Sequence, residues 1–456
     1  VGNAHPTIII ELLLVKFGIR FVGVKLGILG LGTVGTGTVQ LLQDSVGRHP
    51  LLRDIEIHQV GVRSLDKPRA VKVPDAVLTT DLEAIVNDPQ IDIVVEVIGG
   101  LEPARSLILK AIENGKHVVT ANKAVISRFG DEIFTAANQA GVYVMLEAAV
   151  GGGIPVIQPL KQSLSVNRIH TVTGIVNGTT NYILTRMQTE GSSFNDVLAD
   201  AQKLGYAEAD PTADIDGLDA ADKIAILASL AFGGRIKLQN VYCEGIRQIS
   251  KTDIAYADKL GFVIKLLAIA KTVNSSSITS SPNHPISVRV HPTLVPKAHP
   301  LASINGVYNA ILVEGEPIGQ VMFFGPGAGA GATASAVSSD ILNLVAALQA
   351  STTTPNPLLT CGHQDYCEIT PPEELVSRFY TRFLTQDQPG VIGKLGTCFG
   401  KYGVSLESVV QTGFQGDLAE IVVVTHDVRE GDFRQALAEI QTLGAIHSIP
   451  SLLRVL

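Results

Sequence analysis

Short, uniformly apolar runs alternate with amphipathic stretches through the first third of the chain, and glycines fall at the joints between them. Residues 22–29 (VGVKLGIL) read as a buried parallel strand, since a strand covered on both faces stays apolar instead of alternating. The same pattern predicts strands over 56–62, 91–98, 116–121 and 142–146, with helices from 38 onward and over 81–87, 107–114 and 130–140. Strand and helix in regular alternation predict an α/β fold, a Rossmann-type doubly wound sheet whose ligands meet the carboxyl ends of its strands. Further helices are expected over 218–230 and 333–337, and residues 350–372 turn Thr- and Pro-rich, as a linker does. Beyond them the pattern predicts a strand at 377–384, a helix opening at Asp387 and closing at Gly403, and strands at 405–411 and 420–425. A helix at 432–443 and a last strand at 446–456 complete a ferredoxin-like βαββαβ order.

At 456 residues the chain exceeds one compact core, and roughly 100–200 residues per domain makes three domains the expectation. Hydrophobic residues at 46%, charged residues at 17% and a mean hydropathy of +0.28 exclude a disordered chain or a coiled coil. The four cysteines (Cys243, Cys361, Cys367 and Cys398) contain no C-x-x-C pair. That argues against a zinc site or a disulfide framework and for reduced thiols in the cytoplasm. A net charge of −8 without a basic block argues against nucleic acid as a partner. No apolar run reaches the ~18–20 uncharged residues of a membrane span, so no membrane partner is expected. Residues 7–15 are apolar but carry Glu11, follow no basic segment and precede no small-residue cleavage site. Residues 1–22 therefore read as a peripheral extension, not as a signal or transit peptide.

Candidate chemistry begins directly after the first strand, where Gly30-Leu31-Gly32-Thr33-Val34-Gly35 sets G-x-G-x-x-G between a strand and a helix. In that setting Gly30 permits a tight turn, Gly32 lets the backbone approach a pyrophosphate, and Gly35 lets helix and strand pack closely. The helix start offers free N–H groups to the anion. At the end of the second strand stands Arg63, where an acidic residue would hold a ribose hydroxyl. This leans the cofactor towards NADP over NAD, with a solvated loop arginine as the alternative. Lys123 falls at the end of strand 116–121, where a cofactor or substrate would meet it. Residues 147–154 (EAAVGGGI) can turn carbonyls inward to cage a monovalent cation, or serve as a hinge between domains. Asn177-Gly178-Thr179-Thr180-Asn181 is a turn signal with Thr179 or Thr180 as the helix cap. The densest polar cluster runs from Glu208 and Asp210 through Asp214, Asp216, Asp219 and Asp222 to Lys223, with the wrong spacing for a calcium loop. Within it Asp219 and Lys223 are i,i+4 neighbours on a predicted helix. A lysine so held binds a carboxylate, relays protons or supplies one to a developing alkoxide. A solvated surface ion pair fits the spacing equally well.

These segments together carry a resemblance. GILGLGTVG, VVEVIGG, VVTANK, LEAAVGGGIPVI, GIVNGTTNYIL, LGYAEADPTADIDGLDAADKIAILA, RVHPTLVPKAHPLASINGVYNA and GPGAGAGATASAVSSD, in that order, make residues 24–340 similar to the homoserine dehydrogenase family. The resemblance implies an extension at 1–22, a dinucleotide-binding domain at 23–150, and an α+β catalytic and dimerisation domain at 151–350 whose last helix returns to the cofactor domain. A linker at 351–375 would lead to a regulatory domain at 376–456. The implied reaction is reversible NAD(P)H-dependent reduction of L-aspartate 4-semialdehyde to L-homoserine, in threonine, methionine and isoleucine biosynthesis. By the resemblance Lys223 donates the proton, Glu208 and Asp219 hold the substrate, and Lys123 contacts cofactor or substrate. Gly30, Gly32, Thr33, Val34, Gly35, Arg63, Gly205, Gly327 and Gly329 would surround the cofactor, and a sodium-type ion would sit on carbonyls of Glu147, Val150, Gly152 and Ile154. The tail, with Asp387-Gln388-Pro389-Gly390-Val391-Ile392, resembles an ACT domain. That implies an amino-acid effector, L-threonine, near Asp387, Gln388 and Gly390, in a homodimer or homotetramer; a tail that only dimerises the enzyme stays open. Two rival readings are a non-catalytic amino-acid sensor and a semialdehyde dehydrogenase with a thiol nucleophile, for which Cys243 is the candidate.

Overall fold

A computed structural model describes residues 23–273, 285–350, 354–363 and 365–456. The expected extension at 1–22 and positions 351–353 and 364 of the expected linker lie outside the described residues. The described chain forms two compact units, one from residues 23–125, 132–148 and 329–362, the other from 126–131, 149–328 and 363–456.

Six strands build the first unit: β1 Val24–Leu29, β2 Ile55–Gly61, β3 Leu78–Thr79, β4 Ile93–Glu96, β5 His117–Thr120 and β6 Val144–Met145. They are all parallel and ordered β3-β2-β1-β4-β5-β6, so the winding reverses beside β1, as a doubly wound sheet requires. β1 and β4 are buried on both faces, which is why their sequences read as continuous apolar runs. β3 is two residues long and leaves no such run to read. Helix Lys123–Ala140 starts well before the expected residue 130, because Asn122 caps it by accepting a bond from Val125 N at 3.2 Å. Helix Ala330–Gln349 extends far beyond the expected 333–337 and packs on helix Thr33–Gln43. By length and composition it could cross a membrane, but its Ala336, Val337, Ile341, Leu344 and Val345 join this unit's core. Its buried Asp340 accepts a bond from Glu147 N at 2.7 Å.

The second unit is one sheet of eleven strands: β7 Arg168–Ile175, β8 Tyr242–Cys243, β9 Phe262–Thr272, β10 Ile286–Pro296, β11 Tyr308–Glu316, β12 Gly319–Pro326, β13 Val376–Gln386, β14 Leu406–Gln415, β15 Leu418–Thr425, β16 Val428–Arg429 and β17 Ile446–Val455. The main path is β12-β11-β7-β9-β10-β17-β13-β15-β14, with β8 on β10 and β16 on β13. Helices Gly178–Glu190, Leu218–Phe232 and Lys251–Lys259 pack on β9. The C-terminal part has the expected βαββαβ order, with strands β17-β13-β15-β14 and helices Val391–Lys401 and Glu430–Gln441. Its core is aromatic: Phe379, Phe383, Phe399 and Phe433 are buried together, the first and last stacked at 4.2 Å. Its first helix begins at Val391, not at Asp387, since Gly390 at φ +89° ends a turn there. Nor do residues 365–370 behave as a loose linker. Asp365 and Cys367 bond the Arg235 backbone at 2.8 and 2.9 Å, and Glu368 and Thr370 bond that of Ile286, each at 2.9 Å.

The C-terminal part joins the rest of the sheet through a short ladder and two buried ion clusters. β17 meets β10 in only two parallel pairs, Thr293–Arg454 and Leu294–Val455. Arg382 on β13 donates to Asp253 at 2.9 Å and to Glu420 at 3.1 Å, and Asp253 is fully buried. Arg454 on β17 makes two bonds to Glu430, at 2.6 and 3.0 Å, and a third to Glu244 at 3.0 Å. Removing one member of such a cluster strands the others as buried, unpaired charges. Arg382→Met is therefore expected to destabilise the protein by about 3–5 kcal/mol, read as a lower midpoint of chemical unfolding. A midpoint equal to wild type would show that this cluster does not hold the joint.

Candidate active site

The G-x-G-x-x-G turn of the first unit is made by two glycines the fold demands and one it does not. Gly30 sits at φ +108° and donates to Gly61 O at 3.0 Å, and a Cβ on Gly35 would lie 2.1 Å from Gly30 O. Gly32 has an ordinary φ of −79° and nothing within 4 Å of where a Cβ would stand. Nothing in this chain requires glycine there, which is the condition for a ligand to approach the backbone. No side chain caps helix Thr33–Gln43, which leaves the first amides at Thr33, Val34 and Gly35 without a side-chain cap, the arrangement an anion would require. Arg63 is exposed two residues past β2, while Arg69 braces the loop by donating to Ser64 O and Leu65 O at 2.6 and 2.9 Å.

Sequence reasoning passed over Glu96. This carboxylate is fully buried at the end of β4, accepting from Ile98 N at 3.0 Å, Gly99 N at 3.1 Å and Thr120 Oγ1 at 2.6 Å. Thr120 Oγ1 in turn accepts from Asn122 N at 3.0 Å, and Asn122 Nδ2 donates to Gly100 O at 2.7 Å. The loops after β4 and β5 are thereby tied together, and Lys123 is the first residue of a helix, not the end of a strand. The available signal was an acid flanked by apolar residues within IVVEVI.

In the second unit, Lys223 Nζ donates to Asp219 Oδ2 at 2.7 Å and to Val176 O at 2.6 Å. Both side chains are about nine-tenths buried, which excludes the solvated-pair alternative. Asn177, and not Thr179 or Thr180, caps helix Gly178–Glu190: its Oδ1 accepts from Thr180 N at 2.9 Å. Its amide nitrogen donates to Asp214 Oδ1 at 2.7 Å and Asp219 Oδ2 at 2.9 Å, so one side chain closes the helix and holds both acids. Burial pushes the Asp214 carboxyl above the usual carboxylate range, and the neighbouring Asp219 charge adds to it against the Asn177 bond. Next along the helix, Asp222 accepts from Ser127 Oγ and Arg128 Nη1, each at 2.7 Å. Gly205, at φ +75°, closes helix Phe194–Lys203, and Glu208 is exposed on the turn that follows. That turn is held by Thr179 Oγ1 on Tyr206 O at 2.7 Å.

Around EAAVGGGI the chain passes from the first unit to the second after Ala148, in keeping with the hinge alternative. Glu147 belongs to the first unit, and Val150, Gly152 and Ile154 to the second. Gly151 and Gly152 take φ of +73° and +58°, and Ile154 N donates to Gly151 O at 2.9 Å, closing the turn. Gly327 packs on it so closely that a Cβ on Gly152 would be 2.5 Å from Gly327 O. Gly329 caps helix Ala330–Gln349 in the first unit. Among the described residues no group of His, Cys, Asp and Glu is arranged to hold a metal ion, so a carbonyl cage is the one cation chemistry left to test. Burial first, then the Asp216 and Glu244 charges, push the Cys243 thiol up to about 11, and its Sγ donates to Asp216 O at 3.3 Å. Such a thiol is a poor nucleophile at neutral pH, which removes the support for the thiol-dependent rival. In the C-terminal part, Asp387, Gln388 and Gly390 line a cavity of about 230 Å³ together with Thr385 and Gln411, whose amide donates to Asp387 Oδ1 at 3.2 Å.

Comparison with known proteins adds independent findings. Residues 30–147 match the family described as homoserine dehydrogenase, NAD binding domain; residues 155–342 match homoserine dehydrogenase, and residues 379–445 the ACT domain. A homoserine dehydrogenase from Synechocystis sp. is 66% identical over 435 residues, covering 95% of this chain and 99% of that protein. The crystal structure of a homoserine dehydrogenase from Thiobacillus denitrificans matches with a TM-score of 0.85 and 40% identity, over 95% of this chain and 98% of that one. A hyperthermophilic archaeal homoserine dehydrogenase in complex with NADPH matches with a TM-score of 0.58 and 27% identity, over 70% of this chain and 97% of that one.

The raised Asp214 carboxyl has a thermodynamic consequence. The folded protein binds this proton more readily than the unfolded chain, so stability falls as pH rises from the ordinary range near ~4 through the raised value. Asp214→Asn keeps an oxygen acceptor for Asn177 and removes the charge. It is expected to raise the melting temperature at neutral pH by about 2–4 °C, roughly 1 kcal/mol, and to abolish that pH-dependent loss. Thermal melts between about pH 4 and 8 check both, and a variant melting at or below wild type at neutral pH would contradict the assignment.

Proposed function

The chain belongs to the homoserine dehydrogenase family and carries an ACT domain, and from that premise we propose that it catalyses the reversible NAD(P)H-dependent reduction of L-aspartate 4-semialdehyde to L-homoserine. The route served is threonine, methionine and isoleucine biosynthesis in the cytoplasm. The observation that carries the reading is the buried Lys223 ammonium, aimed by Asp219 and the Val176 carbonyl. When bound, the nicotinamide cofactor supplies the hydride. Lys223 gives its proton to the carbonyl oxygen as charge grows there. Asp219 and Glu208 hold the substrate's ammonium group, and Lys123 meets cofactor or substrate from the start of its helix. Gly30, Gly32, Thr33, Val34 and Gly35 take the pyrophosphate, an assignment supported by the open helix start and the open Gly32. Gly205, Gly327 and Gly329 complete the cofactor's surroundings.

NADP is favoured over NAD: the exposed Arg63 suits a 2′-phosphate, and the archaeal relative was solved with NADPH. A sodium-type ion on the carbonyls of Glu147, Val150, Gly152 and Ile154 would steady the backbone between them, a reading supported by the two positive-φ glycines of that turn. L-Threonine is the proposed effector, taken by Asp387, Gln388 and Gly390; the support is the cavity they line. A homodimer or homotetramer is proposed as well, supported by β12, an edge strand with Met322 and Phe324 exposed.

Homoserine-dependent reduction of NADP+ and NAD+, followed by absorbance, tests the dehydrogenase reading. Lys223→Met is expected to lower kcat at least about 10²-fold without changing cofactor affinity. Folded wild-type protein that binds cofactor but turns over nothing would leave the amino-acid sensor in its place. Threonine is expected to inhibit the wild type, and Asp387→Ala to raise the half-inhibiting concentration about tenfold, or 1.4 kcal/mol of lost binding. Wild-type activity indifferent to threonine would leave the C-terminal part as an assembly element.

A further inference from the structure

Lys265, on β9, is 1% exposed and, among the described residues, pairs with no carboxylate. Its ammonium donates to three neutral oxygens: Ile304 O at 2.5 Å, Asn305 Oδ1 at 3.0 Å and Asn181 Oδ1 at 3.2 Å. Three acceptors match the three protons of an ammonium; a neutral amine would leave one unmet. The acceptors come from two separate pieces of chain. Asn181 is in the first turn of helix Gly178–Glu190, while Ile304 and Asn305 lie in the turn leading to β11. Further bonds seat the helix on that turn. Asn181 Nδ2 donates to Ile304 O at 3.2 Å and Tyr308 O at 3.1 Å, and Thr185 Oγ1 accepts from Gly306 N at 3.1 Å. Gly178 approaches Val307 O so closely that a Cβ would stand 2.7 Å away.

The helix seated in this way begins at Asn177, whose amide holds Asp214 and Asp219 and, through Asp219, Lys223. We propose that Lys265 is a positioning residue for the Lys223–Asp219 centre: its ammonium locks the turn Ile304–Tyr308 under helix Gly178–Glu190 and so sets where Asn177 presents its amide. The inference rests on the dehydrogenase reading above. Burial alone pushes the Lys265 ammonium down to about 8. The titratable groups on the packed elements include Lys223, Arg186, Asp253, Asp258, His291 and His299, and burial is the cause that sets the shift. The third proton is therefore held loosely, and its loss undoes one of the three anchoring bonds just above neutral pH.

Two variants test this. Lys265→Met is expected to lower kcat/KM for homoserine at least about tenfold, since small displacements of a reacting group cost that much, while the dissociation constant for NADPH stays within about twofold. A folded variant that keeps kcat/KM within about twofold of wild type overturns the proposal. Asn305→Asp changes an exposed residue, keeps its acceptor and sets a carboxylate against Lys265, holding the proton to higher pH. Its alkaline limb of kcat/KM should move up by about one pH unit with the neutral-pH value unchanged, which a merely structural lysine would not produce. A limb that stays in place overturns the proposal even if Lys265→Met fails to fold. Wild-type protein without homoserine-dependent turnover overturns the dehydrogenase reading and this inference with it. An active wild type with both variants unmoved overturns this inference alone.

Discussion

Lys223 and Asp219 carry opposite charges 2.7 Å apart with about a tenth of each side chain exposed. Burying such a pair is favourable only when the remaining donors and acceptors of both groups are met. Much of the second unit follows from that requirement. The lysine needs a second acceptor, and the chain supplies the carbonyl of Val176, the residue directly after β7. The aspartate needs a second donor, and Asn177 supplies it while closing the helix that follows. For these two residues to meet helix Leu218–Phe232, that helix must start close against β10. Gly217 makes this possible: at φ +83° it lies where a Cβ would touch Cys243 Sγ at 3.0 Å and Val290 at 3.1 Å.

Reading this architecture from sequence succeeds where one residue reports on its own surroundings. β1 and β4 announce themselves because both faces are buried, and G-x-G-x-x-G because Gly30 must take a positive φ and Gly35 packs on the Gly30 carbonyl. The i,i+4 spacing of Asp219 and Lys223 likewise survives, since a helix brings them together whatever lies around it. What stays hidden depends on partners far along the chain. Glu96 looks like a blemish in an apolar strand until Thr120, on the neighbouring strand, is seen to complete its shell. Asn177 caps the helix where two threonines were expected to, and its amide also reaches both Asp214 and Asp219. Glu208 is legible only by resemblance: it is exposed on a turn, and no spacing rule ties it to the lysine. Arg382 and Asp253 are separated by more than a hundred residues, so no local pattern marks them as partners.

The unit buries two lysines on neighbouring elements and treats them differently. Lys223 has a carboxylate; Lys265 has only neutral oxygens. A lysine paired with a carboxylate keeps a charged partner whichever way its proton moves, which suits a group that gives a proton to an oxygen and takes it back. A lysine among carbonyls has no such compensation, and its protonated form is maintained only by geometry. The first arrangement suits turnover and the second suits holding backbone in place, so the two roles can be told apart by their acceptors alone.

The same reasoning bears on how the C-terminal part is connected to the Lys223–Asp219 cluster. Arg454 of β17 bonds Glu244, whose backbone N donates to Val290 O at 2.8 Å. Next along, Gly245 packs against Ile215 and Asp216, and Ile246 N donates to Ile215 O at 2.8 Å, just before Gly217 opens the helix of Asp219 and Lys223. Contiguity of this kind does not make a switch; both ends must bias one element that has two arrangements. The sheet is most thinly joined where β17 meets β10. That ladder, two pairs long, is the shortest on the sheet's main path, and it is held chiefly by ion clusters whose partners come from both sides. Backbone ladders resist sliding pair by pair, whereas charged side chains can exchange partners. Glu244 stands on the other side of this joint, one short loop from the helix of Asp219 and Lys223.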